Sequence, residues 1–495
     1  MKNFSIPMSR RDFFKLAGLT TAGVMLSNSD EEKKVSAAEN HLHFDDKKIP
    51  QLLSADVCVC GGGPAGTAAA ITAAKNGAKV ILIERGISLG GLQTLGCVYP
   101  CMPTFCYDSD TPYIDEINLR MKKRGFEPVP EETETFYGGG RGFYSPEILS
   151  EIYDEMCEEN GVEILYNFSI IGAVTENKKI ISCIVQTVEG IFKIDAKIFI
   201  DATGDAVLSR FIGVPVEKGS EKTGRNQPMS FRFEMSGIDE KKVYKFFTEK
   251  VKDPQADNLK PPYFEFAKRK HTAYFYRKGV ESGEITEDDF LYIQAFTMNG
   301  KPNTLSLNCP ELPPLGFSST DAISYSKAVT FGRKMMRRLA KFFIKNIPGF
   351  EKAYINREAS VLGVRESWRI RGKYYLTEED YVSERKFPDA ICRTAYPIDI
   401  HDEKLQFENT FKKGDFYEIP FRALVTNEFE NFAVVGRCAS GSFAAQASFR
   451  IQPTCMSMGE AAGIASAYSL KNNILLNNVE WDKIPENLRS YVSAG

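Results

Sequence analysis

At 495 residues, with 43% hydrophobic and 12% aromatic side chains, the chain can bury a sizeable interior, and two structural domains are the natural expectation. Its 62 basic and 65 acidic residues leave a formal net charge of -3, so there is no basic footprint for nucleic acid. Eleven cysteines without regular spacing argue against a disulfide framework, and no apolar run reaches the roughly 20 residues that span a bilayer.

The first segment reads as an address. In "SRRDFFKLAGLTTAGVML", Arg10 and Arg11 precede Phe13, Phe14 and Lys15 and then a short, mildly apolar run. This resembles a bacterial twin-arginine export signal, with a small-residue cleavage site around Ser36, Ala37 and Ala38. The plainer alternative is a basic, amphipathic N-terminus. The resemblance implies a signal over residues 1–38, the twin-arginine export machinery as a partner, and a periplasmic or otherwise extracytoplasmic location. Such export carries proteins already folded, often around a cofactor, and is compatible with free cysteines. No cysteine precedes Cys58, which excludes a lipoprotein anchor in this segment. Residues 39–52 are charged and aperiodic and read as a linker.

From Asp56 to Glu84 the pattern is apolar strand, glycine cluster, alanine-rich helix, apolar strand and acidic end, a β-α-β unit. Ser145 and Pro146 then open a helix that Gly161 stops. The pieces "VEILYNF", "SIIGAV", "KIISCIVQT" and "IFKIDAKIFIDATG", with the turns "ENKK" and "VEG" among them, predict a three-stranded meander before the sheet resumes. Between about 216 and 430 come aromatic strands, proline-rich turns and the helix "DAISYSKAVTFGRKMMRRLAKFFIKNIPGF". Its amphipathic stripe is read as one packed and one solvated face rather than a membrane surface. A buried strand, "FAVVG", and a helix over "PTCMSMGEAAGIASAYSLKN" close the chain. The expected fold is α/β: a discontinuous Rossmann-like domain (53–215 and 431–495), parallel sheet plus meander, with an inserted α+β substrate domain (216–430).

Gly61, Gly63 and Gly66 fit G-x-G-x-x-G. The first permits a tight turn, the second lets backbone approach a pyrophosphate, and the third allows close helix packing. Free N–H groups at the helix start would face the phosphates, and Glu84 would accept ribose hydroxyls while repelling a 2′-phosphate. Further on, Gly90 and Gly91 stand where backbone could pass close to a second half of the ligand. "IFIDATGDA" ends a strand at Ala202, Thr203, Gly204 and Asp205, and "NFAVVGRCASGSF" ends another at Gly436.

This order resembles the glutathione-reductase-like class of flavoproteins. More closely, "LGVRESWRIRGKYYLTEEDY", "YPIDIHD", "IPFRAL" and "GRCASGSFAAQASFRIQPTCMSMGEAAG" look like the bacterial FAD-dependent oxidoreductase family, across roughly residues 52 to 470. The resemblance implies non-covalent FAD, with Gly61, Gly63, Pro64, Ala65, Gly66, Glu84, Arg85, Gly91, Gln93, Ala202, Gly204, Asp205, Gly436, Gln452 and Thr454 as the cofactor-binding set. Pro453 would open a helix whose amides, from Thr454 onward, point at the flavin ring. "YGGGRGF" lacks a preceding apolar strand, so a built-in NAD(P)H domain is not expected. Electrons would come from a substrate or go to an external carrier.

Of the histidines His41, His43, His271 and His401, the last lies in "YPIDIHD" and suits a proton carrier, with Asp399 and Asp402 as candidates to orient it. Arg365, Arg369 and Arg371, with Arg450, concentrate positive charge. Arg365 and Arg450 are the preferred pair for clamping a carboxylate or polar substrate or assisting flavin reduction, and Glu366 is a candidate to neutralise one arginine structurally. Cys97, Cys101 and Cys106 are read as core or loop thiols rather than a disulfide-reductase or metal site, since Gln93 stands where the first reductase cysteine would fall. The expected reaction is oxidation of a CH–OH group of a small, sugar-like molecule. The alternatives are reduction of an activated C=C bond and a flavin electron-transfer protein without its own substrate.

Overall fold

Ten residues of unbroken extended chain, β1 (Gln51–Cys60), lead into the glycine turn. In this computed structural model the residues described are 46–102, 111–126, 145–253, 264–270, 272–298, 300–401, 411–412 and 414–491. The export segment, the first half of the linker, His41, His43, Cys106, "YGGGRGF", His271 and Asp402 lie outside them. After the turn come the helix Pro64–Lys75, β2 (Val80–Glu84), and the helices Pro112–Lys123 and Pro146–Glu159. β3 (Glu163–Tyr166), β4 (Ser169–Glu176), β5 (Lys179–Gln186) and β6 (Ile191–Asp201) follow. The short β7 (Val216–Lys218) ends this part.

A second group comprises β8 (Phe233–Ser236), β9 (Glu265–Ala267), β10 (Gln294–Thr297), β11 (Thr304–Leu307), the helix Ala322–Asn346 and β12 (Tyr354–Glu358). β13 (Trp368–Ile370), β14 (Ala390–Thr394), β15 (Tyr417–Pro420), β16 (Phe432–Val434) and the closing helix Gln452–Asn472 complete the order.

Among the described residues, one seven-stranded sheet runs β3-β2-β1-β6-β5-β4, with β16 also paired to β6. β1, β2, β3, β6 and β16 are mutually parallel neighbours. β6 serves two roles along its length. Ile191–Asp195 pairs antiparallel with β5 to finish the expected meander, whereas Phe199–Asp201 runs parallel beside β16.

Both faces of the parallel part are covered, so its strands read as continuous apolar runs. Val57, Val59, Leu82 and Ile200 face the core shared with the two helices, while Cys58, Cys60, Ile83 and Phe199 face the opposite cluster. The glycine-loop helix and the closing helix touch through small residues. A Cβ on Gly459 would stand 2.0 Å from the Ala65 carbonyl oxygen, and one on Gly463 2.6 Å from that of Ala69.

The second sheet has five strands in the order β12-β8-β11-β10-β9, all antiparallel. Its apolar face packs on the Ala322–Asn346 helix through Phe233, Phe266, Leu305, Met335, Leu339 and Phe343. That helix starts where Asp321 accepts the Ser324 amide at 2.6 Å, and its apolar stripe is spent on this packing. Residues the sequence division assigns to the inserted segment, including Leu376, Tyr381, Ile391, Ile419 and Val425, pack instead in the nucleotide-side core. The chain therefore re-enters that core well before β16.

The closing helix also buries a carboxyl group. Glu460 has Oε2 without a partner, and burial pushes its pKa up to about 7. The folded chain thus holds this proton more tightly than the unfolded chain, whose group titrates near 4.5. Its stabilising contribution is complete below the unfolded value and is lost as pH rises through about 7, a change of about 3 kcal/mol. Glu460→Gln removes this titration. Thermal melts at about pH 5 and about pH 8 should show a smaller drop in Tm for E460Q than for the parent chain.

Candidate active site

The glycine turn is shaped by what it touches. Gly61 has φ +104°, and a Cβ there would lie 2.7 Å from the Ala202 carbonyl oxygen at the end of β6. A Cβ on Gly66 would lie 1.8 Å from the Gly61 carbonyl oxygen. Gly63 differs: nothing lies within 4 Å of its Cβ position, so the helix start opens onto free space. No side chain caps that helix start. Glu84 is held at the end of β2, where its two carboxylate oxygens accept the amides of Gly62 at 2.8 Å and Gly86 at 2.6 Å.

The later segments close onto this turn. The Gly90 amide donates to Gly62 at 2.8 Å, and a Cβ on Gly91 would stand 3.1 Å from the Gly63 Cα. Gly436, at φ +79°, brings the end of β16 against Ala65, and Gly204 lies under the Arg437 guanidinium. Arg437 donates to Asp205 and to Ser367, each at 2.7 Å. Burial alone would raise Asp205; Arg437 and Ser367 outweigh it and hold the carboxyl below its ordinary range. Arg85 is exposed beside this group. Gln93 donates to Gln452 at 3.0 Å and accepts from Tyr153 at 2.7 Å, joining the loop after β2 to the closing helix. At that helix start the buried Thr454 hydroxyl has no partner.

A cavity of about 290 Å³ adjoins this convergence. Leu92, Ile451 and Gln452 line one side; Arg232 and Phe296, on the strand region of β8 and on β10, line another; His401, Arg365 and Arg450 also form the wall. The three catalytic candidates are therefore brought together by the fold. His401 Nδ1 lies 2.6 Å from Glu311 and Nε2 lies 3.3 Å from Asp399. Arg365 pairs with Glu311 at 3.1 Å and donates to the Pro228 carbonyl at 2.6 Å. Arg450 donates to Asp399 at 2.7 Å.

Burial and the Arg365 charge favour a neutral His401, but Asp399 and Glu311 together outweigh them and raise its pKa above the usual 6.5. The same contacts work the other way on the acids. Against burial, His401 and Arg365 hold Glu311 down, and His401 and Arg450 do so for Asp399. Tyr292 packs edge-on to the imidazole, with ring centroids 5.2 Å apart.

Two of the clustered arginines stand elsewhere. Arg369 is buried against Glu366, as the structural-pair alternative anticipates, and also donates to the Gly219 and Gly441 carbonyls. Arg371 is exposed and bound to Glu217. Cys97 and Cys101 are buried, and burial raises the Cys97 thiol. Glu311, Tyr292 and Arg232 were missed in the sequence. Arg232 had a readable signal: in "MSFRFEMS" every second residue, Met229, Phe231, Phe233 and Met235, enters the core, which puts Ser230, Arg232 and Glu234 on the other face. Glu311 had none, because only folding brings it to residue 401.

A family model described as FAD dependent oxidoreductase matches residues 56–488. The chain belongs to this family. It is an FAD-dependent oxidoreductase, and FAD is its cofactor. No curated protein matches the chain. Solved structures similar to it include a geranylgeranyl bacteriochlorophyll reductase-like protein from Thermoplasma acidophilum (15% identity, TM-score 0.42, 85% of this chain and 80% of that one). A myxobacterial chondrochloren halogenase is 12% identical, with TM-score 0.43 over 89% of this chain and 78% of its own. An L-proline dehydrogenase from P. horikoshii is 13% identical, with TM-score 0.39 over 88% and 97%.

The residues present fit this cofactor. Free space at the Gly63 Cβ position, a buried Thr454 hydroxyl without a partner and a Glu84 carboxylate pinned at the end of β2 are the kinds of group that a dinucleotide's phosphates, polar ring and ribose require. Gly66→Ala places a methyl group against the Gly61 carbonyl oxygen. The variant should purify with little FAD, read as loss of the flavin band at ~450 nm, while far-ultraviolet circular dichroism stays near that of the parent.

Proposed function

We propose that this enzyme oxidises a CH–OH group of a small polar substrate, with His401 taking the hydroxyl proton. FAD, when bound, accepts the hydride released from the substrate carbon. The observation that carries this reading is His401 at the cavity wall between Glu311 at 2.6 Å and Asp399 at 3.3 Å. The two carboxylates strengthen the imidazole as a proton acceptor and stabilise the cation it becomes. Arg365 and Arg450, by pairing with those same acids, fix their orientation and present remaining donors to the substrate oxygens. A cavity lined by such groups favours a substrate over a bare electron relay.

In this reading the cofactor is held by the set read from the sequence. Gly61, Gly63, Pro64, Ala65 and Gly66 take the pyrophosphate, and Glu84 with Arg85 takes the adenosine end. Gly91, Gln93, Ala202, Gly204, Asp205, Gly436, Gln452 and Thr454 follow the rest toward the ring. The meander set among parallel strands supports a glutathione-reductase-like arrangement, with the five-stranded sheet as the substrate-facing part. Electrons then pass to an external carrier. The Arg10–Arg11 motif supports export by the twin-arginine machinery to an extracytoplasmic site.

One observation favours a second reading. Both ring nitrogens of His401 face carboxylates, so the resting imidazole is readily protonated. That form can donate a proton during reduction of an activated C=C bond.

Anaerobic mixing with polyols, sugars and hydroxy acids should bleach the flavin near ~450 nm for an oxidisable substrate, whereas recolouring of reduced enzyme by unsaturated acids would select the alternative. His401→Asn should slow the bleaching about 10²-fold or more; unchanged turnover removes His401 from the mechanism. The pH profile separates the readings by sign. Oxidation needs the neutral imidazole, so kcat/KM rises with pH through a value above 6.5; proton donation gives the opposite slope.

A further inference from the structure

Four arginines line the cavity: Arg232, Arg365, Arg437 and Arg450. Three have acidic partners, Glu311 for Arg365 at 3.1 Å, Asp205 for Arg437 at 2.7 Å and Asp399 for Arg450 at 2.7 Å. Arg232 has none among the described residues. Its side chain is only 4% exposed, and its Nε and Nη2 have no hydrogen-bond acceptor. Burial pushes its pKa down to about 10; the groups felt nearby are Cys97, Tyr99, Tyr292 and the cation Arg365, with no carboxylate among them.

The acid that the alternating strand sets next on the same face does not help. Glu234 is engaged by Tyr99, Lys301 and Asn356. A buried, unpaired guanidinium is costly, and a ligand that supplies the counter-charge offsets that cost. Close by, the buried Ser230 hydroxyl, itself at the cavity wall, also lacks a partner. In the neutral-His401 form that accepts the hydroxyl proton, the four arginines and three acids leave one net positive charge, which a single carboxylate balances.

We propose that the substrate is a small hydroxycarboxylate whose carboxylate is bound by Arg232, the planar guanidinium fork matching the two carboxylate oxygens. This rests on the oxidation reading above for the hydroxyl, but the carboxylate site stands on the unpaired charge. In the reaction the substrate C–H pair of electrons leaves with its hydrogen to FAD, the O–H proton goes to His401, and the carbonyl product keeps the carboxylate that Arg232 holds.

The test uses the FAD-loaded enzyme and matched pairs of probes: L-lactate with propane-1,2-diol, and D-gluconate with D-glucitol. Binding is followed anaerobically by isothermal titration calorimetry and by perturbation of the flavin spectrum. The parent enzyme should bind the better carboxylate at least ~10-fold more tightly than its neutral partner. Arg232→Gln should abolish that preference, and Arg232→Lys, which keeps the charge but not the fork, should restore part of it. Without ligand, R232Q should melt no lower than the parent, since it removes an unpaired buried charge; a merely structural arginine would show a fall in Tm.

Equal binding of acids and alcohols by the parent, or an undiminished acid preference in R232Q, overturns the proposal. A shifted flavin midpoint potential in R232Q with an intact acid preference also overturns it, by assigning Arg232 to the ring. The two readings fail separately. Arg232-dependent acid binding without bleaching by any probe contradicts hydroxyl oxidation alone, while bleaching by polyols with no acid preference contradicts the carboxylate site alone.

Discussion

Backbone against backbone, the glycine turn meets the end of β6, and the rest of the structure depends on that contact. Gly61 leaves no room for a side chain beside Ala202, and Gly66 leaves none beside Gly61. Once those atoms are in contact, the helix start must open away from the sheet, and the carboxyl ends of β1, β6 and β16 must lie together, the usual ligand side of a parallel sheet. The small residues between the first and closing helices extend the same logic, since only Gly459 and Gly463 permit that approach to Ala65 and Ala69. The start of the closing helix is thereby brought to the loop after β2, where Gln452 meets Gln93.

Charge arranges the second half of the site. Asp399 and His401 share one segment, while Glu311, Arg365 and Arg450 come from three others, yet each of the five is held by at least one of the rest. Such a network keeps every member oriented at the cost of burying several charges, and its protonation state belongs to the group as a whole. Arg232 stands outside this compensation, which is why the cavity carries an electrostatic demand that the protein itself leaves unmet.

Much of the nucleotide part was legible because its signals are local. The glycine spacing, the apolar strand before it, Glu84 after it and the meander turns each occupy a few consecutive residues, and the folded chain has them in register. The helix at Pro146 was legible for the same reason, although its Ser145 hydroxyl donates to Glu147 rather than capping the backbone. His401, Arg365 and Arg450 were nameable through family resemblance, which located segments but not contacts. The pairing of His401 with Glu311 joins residues from distant parts of the chain, and no local pattern encodes it. The packing of Leu376–Val425 residues with the nucleotide core escaped detection because short strands such as β14 and β15 look alike in either domain.

Density for FAD in crystals of the loaded enzyme tests the central claim most directly. The account places the adenosine end at Glu84, the pyrophosphate before Gly63, and the flavin ring against the cavity wall that holds His401 and Arg450. A ring lying outside that cavity, with His401 remote from it, would contradict the account.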